Sequence, residues 1–304
     1  MFIDITGKRR LKACLHLHTD RYDGRISPEA AFAMYESAGY DILAVTDHWV
    51  FSESGQYGSM KLITGCEYHA VGTGNGSDVM ETFHILGLDM DRPIGLDKEI
   101  SYRDTPVHER VRTLVKAIRD VGGAAILAHP AWSLNAPDQI LACGDFDGTE
   151  IYNAVSEWGM SDRPYSGQIV DLLAMRGTIL PLLATDDAHY YEGDQMRGMT
   201  MLEADAVEEL GFAGAIRAGR FYSTQGPEVH LERISDTQVR VRCTPVSKIA
   251  FLSNIPWMPN RIQRGDGLTE AVFDLHPRGM ETYIRAEVTD ANGLCGWSNI
   301  IQLR

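Results

Sequence analysis

The sequence predicts an α/β fold: a parallel sheet of seven strands over the first two-thirds, then a small all-β domain. Three observations carry this. Short apolar runs alternate with helical patterns up to about residue 224. Several of those runs are almost continuously apolar, as strands buried on both faces are. Beyond about residue 225 the helical patterns stop, and short strands separated by Gly/Asn/Asp turns take over.

The seven strand candidates are residues 11–18, 42–48, 62–67, 84–88, 124–129, 149–153 and 178–187. The helices between them have recognisable ends. Ser27-Pro28 ahead of residues 29–38 and Gly39 supplies an N-cap, a first-turn proline and a glycine just past the end. Thr105-Pro106 through Val121 and Gly122 repeats this grammar, and residues 165–176 and 206–218 give two further helices, each followed by glycine. Seven strands connected this way suit a closed barrel, with a doubly wound open sheet as the competitor. Past residue 225, strands are expected at 229–234, 238–243, 248–252, 270–275, 282–288 and 299–303, as in a small sandwich or barrel. The expected division is therefore 1–224 and 225–304.

Composition narrows the function classes. With 28 Lys+Arg against 42 Asp+Glu, the 304-residue chain carries −14 and is poorly suited to gripping nucleic-acid backbone. No apolar stretch approaches the roughly 20 residues that span a bilayer. The N-terminal charges follow the apolar residues, the reverse of a secretory signal. Five scattered cysteines without a Cys-x-x-Cys read as reduced thiols, so a cytoplasmic location is expected.

The histidines are the most informative residues. Eight of ten precede residue 190, and His16, His18, His48, His129 and His189 end or closely follow apolar strands, while His84 opens the fourth. Asp23, Asp47, Glu67, Asp186 and Asp187 accompany them. In a parallel barrel, groups at the C-terminal ends of strands converge on one face. Each histidine alone is most simply a hydrogen-bonded core or surface residue. Together they are not, because burying so many titratable groups without a cation would cost several kcal/mol per charge. His16-x-His18 places two imidazoles on one face of a strand, and Asp187-Ala188-His189 repeats the spacing.

The ordered set resembles the PHP family, the polymerase and histidinol phosphatase superfamily of metal-dependent phosphoesterases. The resemblance spans about residues 11–224 and rests on His16-Leu17-His18-Thr19 with Asp23-Gly24, Ala44-Val45-Thr46-Asp47-His48, Gly65-Cys66-Glu67, His84-Ile85-Leu86-Gly87, Ala128-His129-Pro130 and Asp187-Ala188-His189. Residues 221–227 with Trp297-Ser298-Asn299 look like the small C-terminal β-domain of some stand-alone members.

The resemblance implies a distorted seven-stranded (β/α)7 barrel holding three divalent metal ions. By position, His16, His18, Glu67 and Asp187 would hold the first, Asp23, His48 and His189 the second, and a bridging Glu67 with His84 and His129 the third. Carboxylate and imidazole ligands accept manganese, iron or zinc, and a carboxylate at Asp23 leans toward Mn²⁺ or Fe²⁺. Asp47 and Asp186 read as groups that orient imidazole N–H, or as turn residues. Three ligand carboxylates against three divalent ions leave about +3, which suits a phosphate dianion and a bridging hydroxide as nucleophile.

Arg197 could reach a phosphate oxygen bidentately or be a solvated loop residue. Asn153, ending the sixth strand, could line the pocket or cap a turn. His69 alternates to the same face as Glu67 and could contact substrate, and Arg21 and Tyr22 flank the Asp23 loop near a leaving group. The expected function is hydrolysis of a phosphate ester of a small metabolite or nucleotide. The alternatives are C–N or C–O (amide or lactone) hydrolysis by the same kind of site, and a nucleic-acid exonuclease, which the charge disfavours. A small phosphorylated substrate is the expected partner, with no membrane, and an oligomer is left open.

Overall fold

A computed structural model describes residues 1–73 and 80–304. The described residues form a mixed α/β fold built on one sheet of five strands and one of thirteen, the latter including the short unlabelled strands Phe2–Ile3, Gly55–Tyr57 and Ile301–Gln302. In order, the first part comprises β1 (Arg9–Cys14), α1 (Pro28–Ser37), β2 (Ile42–Ala44), β3 (Met60–Ile63), β4 (Gly65–Thr73), β5 (Met80–Leu88), α2 (Val107–Asp120) and β6 (Ala124–Leu127). It continues through α3 (Pro137–Cys143), β7 (Gly148–Asn153), α4 (Gly167–Met175), β8 (Leu182–Thr185), β9 (Met199–Glu203), α5 (Ala204–Arg217) and β10 (Phe221–Thr224).

Local chemistry accounts for the helices. Ser27 Oγ accepts a hydrogen bond from the Ala30 amide at 3.2 Å, Pro28 opens α1, and Gly39 takes φ 74° just beyond it. In α2, Val107, Val111, Leu114, Val115 and Ile118 share the buried face and pack with Tyr68, Phe83 and Ile85 of β4 and β5. The expected Thr105 cap does not form; Pro106 occupies that position without a side-chain bond. The short helix α3 carried too few residues to show a periodicity and was not expected.

Parallel pairing joins β1, β2 and β3, and also β6, β7 and β8. The expectation of a parallel sheet fails at β5, which runs antiparallel to both β4 and β6. β4 and β5 are consecutive nine-residue strands whose antiparallel register runs from Gly65 opposite Leu88 to Thr73 opposite Met80. Helices occupy the β1–β2, β5–β6, β6–β7 and β7–β8 connections. The regular strand–helix repeat is thus incomplete.

The two sheets approach each other where the histidines lie. Beyond the strand ends, parallel bridges join Leu17 to Ala188 and His48 to Glu67. The His18 amide donates to Ala188 O at 2.9 Å, Asp187 N to His16 O at 2.8 Å, Thr46 N to Leu17 O at 2.9 Å and Glu67 N to Thr46 O at 3.1 Å. The C-terminal ends of β1, β2 and β8 and the start of β4 therefore lie side by side.

The C-terminal part contains β11 (Val229–Arg233), β12 (Gln238–Ser253), β13 (Ile262–Asp274), β14 (Tyr283–Thr289) and β15 (Cys295–Trp297). The two strands expected at 238–243 and 248–252 are one long strand whose register shifts on either side of Val246. Pairing of β10 with β15 makes the thirteen-stranded sheet continuous from β11 through to β3. Buried Arg285 on β14 pairs with Asp171 of α4 at 2.7 Å, and Trp297 stacks on Tyr152 at 5.4 Å between centroids. Among the described residues, no helix is long and apolar enough to cross a membrane.

Candidate metal centre

Glu67 is the hub of the site. Its Oε2 lies 3.3 Å from His16 Nε2, 3.1 Å from His18 Nε2 and 3.2 Å from His48 Nδ1. Its Oε1 lies 2.8 Å from His84 Nδ1 and 3.3 Å from His129 Nε2. Asp187 Oδ1 adds contacts at 3.0 Å to His16 Nε2 and 3.1 Å to His18 Nε2. On the outer side, Asp23 sits 3.2 Å from His18 Nδ1, 3.6 Å from His189 Nε2 and 3.8 Å from His48 Nε2. All nine residues anticipated as ligands are brought together. They form three overlapping groups able to hold an ion: His16, His18, Glu67 and Asp187; His18, Asp23, His48 and His189; and His48, Glu67 and His84. His129 falls outside these groups and meets the site through Glu67.

The surroundings aim these groups inward. His16 Nδ1 donates to Glu150 Oε1 at 2.7 Å, His189 Nδ1 to the Asp187 carbonyl at 2.7 Å, and His129 Nδ1 pairs with Ser133 Oγ at 3.1 Å. With the outer nitrogen so held, each Nε2 is presented to the carboxylates, as in metal-ligating histidines. A close-packed set of like donors is also left incomplete. His16 Nε2 and His18 Nε2 face each other at 3.3 Å, and Asp187 Oδ1, His18 Nδ1 and His48 Nδ1 are buried without a hydrogen-bond partner. A cation among them would resolve both features, so these residues fit divalent metal ions.

The charges point the same way. Burial opposes ionisation of Glu67 and Asp187, yet the surrounding imidazoles, His48 and His16 at Glu67 and His16 and His18 at Asp187, hold both carboxyls well below their usual range. Burial likewise disfavours a charged His16, but Asp187, Glu67 and Glu150 outweigh it and raise its basicity. Burial pushes His48 down to about 3.

A cavity of about 160 Å³ opens onto this cluster, walled by Trp132, Val155, Ser156 and Met160 opposite Asp23, His48, Glu67, His84, His129, Asp187 and His189. Trp132 packs edge-on to His129, with ring centroids 4.9 Å apart. None of the lining residues is Lys or Arg.

The three anticipated substrate contacts lie outside that lining. Arg197 donates through its guanidinium to Gly193 O at 3.1 Å and through its amide to Asp186 at 2.7 Å. Asn153 is buried, giving its amide hydrogens to Glu150 at 2.8 Å and Asp187 at 3.1 Å while its oxygen accepts from Ser156. His69 stands opposite His84 in the β4–β5 register, and its Nε2 meets Tyr102 Oη at 3.2 Å. Asp47 and Asp186 are turn anchors: Asp47 accepts from Thr19 and Arg21, and Asp186 from Tyr35 and the amides of Met196, Arg197 and Gly198. Sequence reading missed Glu150, the one carboxylate of β7, which carried no local signal; it is fully buried here and also accepts from Thr185 and the His129 amide.

No family model and no curated protein matches the chain. The fold is similar to solved PHP-like metal-dependent phosphoesterases. One is a two-domain protein from Bacteroides vulgatus containing a predicted PHP-like metal-dependent phosphoesterase, covering 99% of this chain and 98% of that one at TM-score 0.49 and 13% identity. A metal-dependent phosphoesterase candidate from Bifidobacterium adolescentis covers 66% of this chain and 96% of that one at TM-score 0.43 and 14% identity. An amidohydrolase from Chromobacterium violaceum with bound sulfate covers 59% and 88% at TM-score 0.39 and 16% identity. At these values none of the likenesses bears on the reaction, which has to be read from the residues.

Proposed function

We propose that the chain is a metal-dependent phosphoesterase acting on a small phosphate ester, with residues 1–224 as the catalytic unit and residues 225–304 as an all-β accessory domain. In this reading the seven strand positions form one distorted barrel, closed by the Leu17–Ala188 and His48–Glu67 bridges. His16, His18, Glu67 and Asp187 hold one ion, Asp23, His48 and His189 a second, and Glu67 with His84 and His129 a third. The ions are manganese, iron or zinc.

The observation that carries the reading is the convergence of His16 Nε2 and His18 Nε2 on Glu67 Oε2 and Asp187 Oδ1, all at 3.0–3.3 Å. Divalent ions held there would supply Lewis acidity toward a phosphoryl oxygen and acidify water. On a stoichiometry of three ions, Asp23, Glu67 and Asp187 leave about +3, and Glu150 behind His16 lowers this to about +2. A phosphate dianion matches that excess, whereas a neutral amide or lactone does not use it. Glu150, Ser133 and the Asp187 carbonyl fix the imidazoles, while Trp132, Val155 and Met160 supply an apolar wall to the cavity. The net reaction breaks the ester P–O bond, adds water oxygen to phosphorus and releases the alcohol with a proton from that water.

The test is phosphate release from a panel of phosphorylated metabolites with Mn²⁺ present, alongside amide and lactone substrates. Release that disappears on chelation and returns with metal is expected. Amide or lactone turnover without any phosphate release would overturn the assignment.

A further inference from the structure

Since the cavity lining contains no Lys or Arg, any charge on the alcohol portion of a substrate has to be met at the rim. Lys98 approaches the site from outside that lining, through Tyr22. Lys98, on a short turn at Lys98–Tyr102, donates from Nζ to Tyr22 Oη at 3.0 Å and lies 5.0 Å from the Tyr22 ring centroid. That ring is edge-on to His48, with centroids 5.2 Å apart. The turn carrying Lys98 is docked on the site from the other side: Ser101 Oγ donates to the His69 carbonyl at 2.7 Å, and Tyr102 meets the His69 ring. His69 in turn packs on His48 at 5.4 Å and on His84 at 5.8 Å. The ammonium thus bonds Tyr22, which packs on His48, while the turn that carries Lys98 packs on His69. Arg21 and Arg197 are committed elsewhere, to Asp47 and Ser52 and to Gly193. No carboxylate pairs with Lys98 among the described residues.

We propose that Lys98, steadied by Tyr22, binds an anionic group on the leaving alcohol, so that the preferred substrates are short phosphate esters carrying a carboxylate. This rests on the phosphoesterase reading and narrows its substrate class. Lys98 and Tyr22 are not among the residues that line the cavity and meet it through His48; an alcohol leaving the cavity on that side would meet the ammonium. A second phosphate on the alcohol presents the same chemistry, and the assay separates the two sources.

The experiment compares the metal-loaded full chain on 3-phosphoglycerate, glycerol 3-phosphate and propane-1,3-diol bisphosphate. The first two differ only in a carboxylate against a hydroxymethyl group. Lys98→Ala should lower kcat/KM for 3-phosphoglycerate about 5-fold, through KM, and leave glycerol 3-phosphate within experimental error. Lys98→Arg should restore most of the loss. A preference of the wild type for the bisphosphate that Lys98→Ala removes would replace carboxylate by phosphate as the anion. Equal effects on charged and uncharged esters, or none on either, would overturn the proposal. Calorimetric binding of the phosphonate analogues of the first two esters provides a second readout: Lys98→Ala should weaken only the carboxylate-bearing one. Should no ester be hydrolysed, the phosphoesterase reading fails, and this binding difference alone decides for or against Lys98.

Discussion

His16 Nδ1 lies 2.7 Å from Glu150 Oε1, and both side chains are fully buried. The carboxylate thereby fixes the imidazole so that Nε2 faces Glu67 and Asp187. Because the same carboxylate accepts from Thr185, Asn153 and the His129 amide, one residue ties β6, β7, β8 and the end of β1 to the site.

Glu150→Gln should therefore weaken metal binding about 10- to 100-fold while leaving the fold intact. The amide keeps the volume but turns a donor toward groups that already donate. Competition with a chelator of known affinity measures this, and unchanged retention would reduce Glu150 to a packing role.

Metal removal should destabilise the chain as well as silence it. Ions that bind only the native state add roughly 2.7 kcal/mol per site when free metal is about 100 times Kd. Chelation should therefore lower Tm by roughly 5 °C or more. A thermal melt unaffected by chelator, on protein shown to have lost its metal, would contradict the cluster of mutually facing donors described above.

Acid should loosen the turn that Asp4 and Lys8 close ahead of β1 at a definable pH. Burial of Asp4 works against its ionisation, but bonds from Thr6, Arg10 and Lys8 outweigh it and bring its pKa from 3.8 down to about 2. A depressed carboxyl stabilises the fold above its unfolded value, and that stability drains away as pH falls from about 4 to about 2. The contribution is about 2 kcal/mol. In urea titrations from neutral pH down to about 2, Asp4→Asn should be less stable than the wild type at neutral pH and show a flatter acid limb.

Arg285→Ala should cost about 3–5 kcal/mol, because Arg285 is 1% exposed and its removal leaves Asp171 and Glu287 without their cation. Arg285→Met, which refills the volume, leaves the same carboxylates unpaired and should recover only the packing part. Denaturant midpoints for the two variants check this. A pair of near-neutral substitutions would show that β14 and α4 are not coupled through this residue.

Much of the candidate centre was readable along the chain. His16-x-His18 and Asp187-x-His189 are local patterns whose spacing alone puts two side chains on one face of an extended strand. Ser27-Pro28 and Gly39 mark α1 for a similar reason, since capping depends on neighbours three or four residues apart. Glu150 was hidden because nothing adjacent to it in sequence marks it as different from a surface carboxylate. Its partners, His16, Thr185 and His129, come from other strands.

What the sequence determined by itself was the set of ligand-type side chains, the strand ends they occupy and the alternation of helix with strand, all of which follow from short-range periodicity. The tertiary structure decided the rest. It turned β5 antiparallel, joined β10 to β15 in one continuous sheet, placed His18 and His48 each in two groups, withdrew Asn153 into hydrogen bonds with Glu150 and Asp187, and brought Lys98 beside Tyr22. These are matters of register and direction between segments tens of residues apart. They depend on which strand edges pair and how connections return, and no local pattern of residues specifies that.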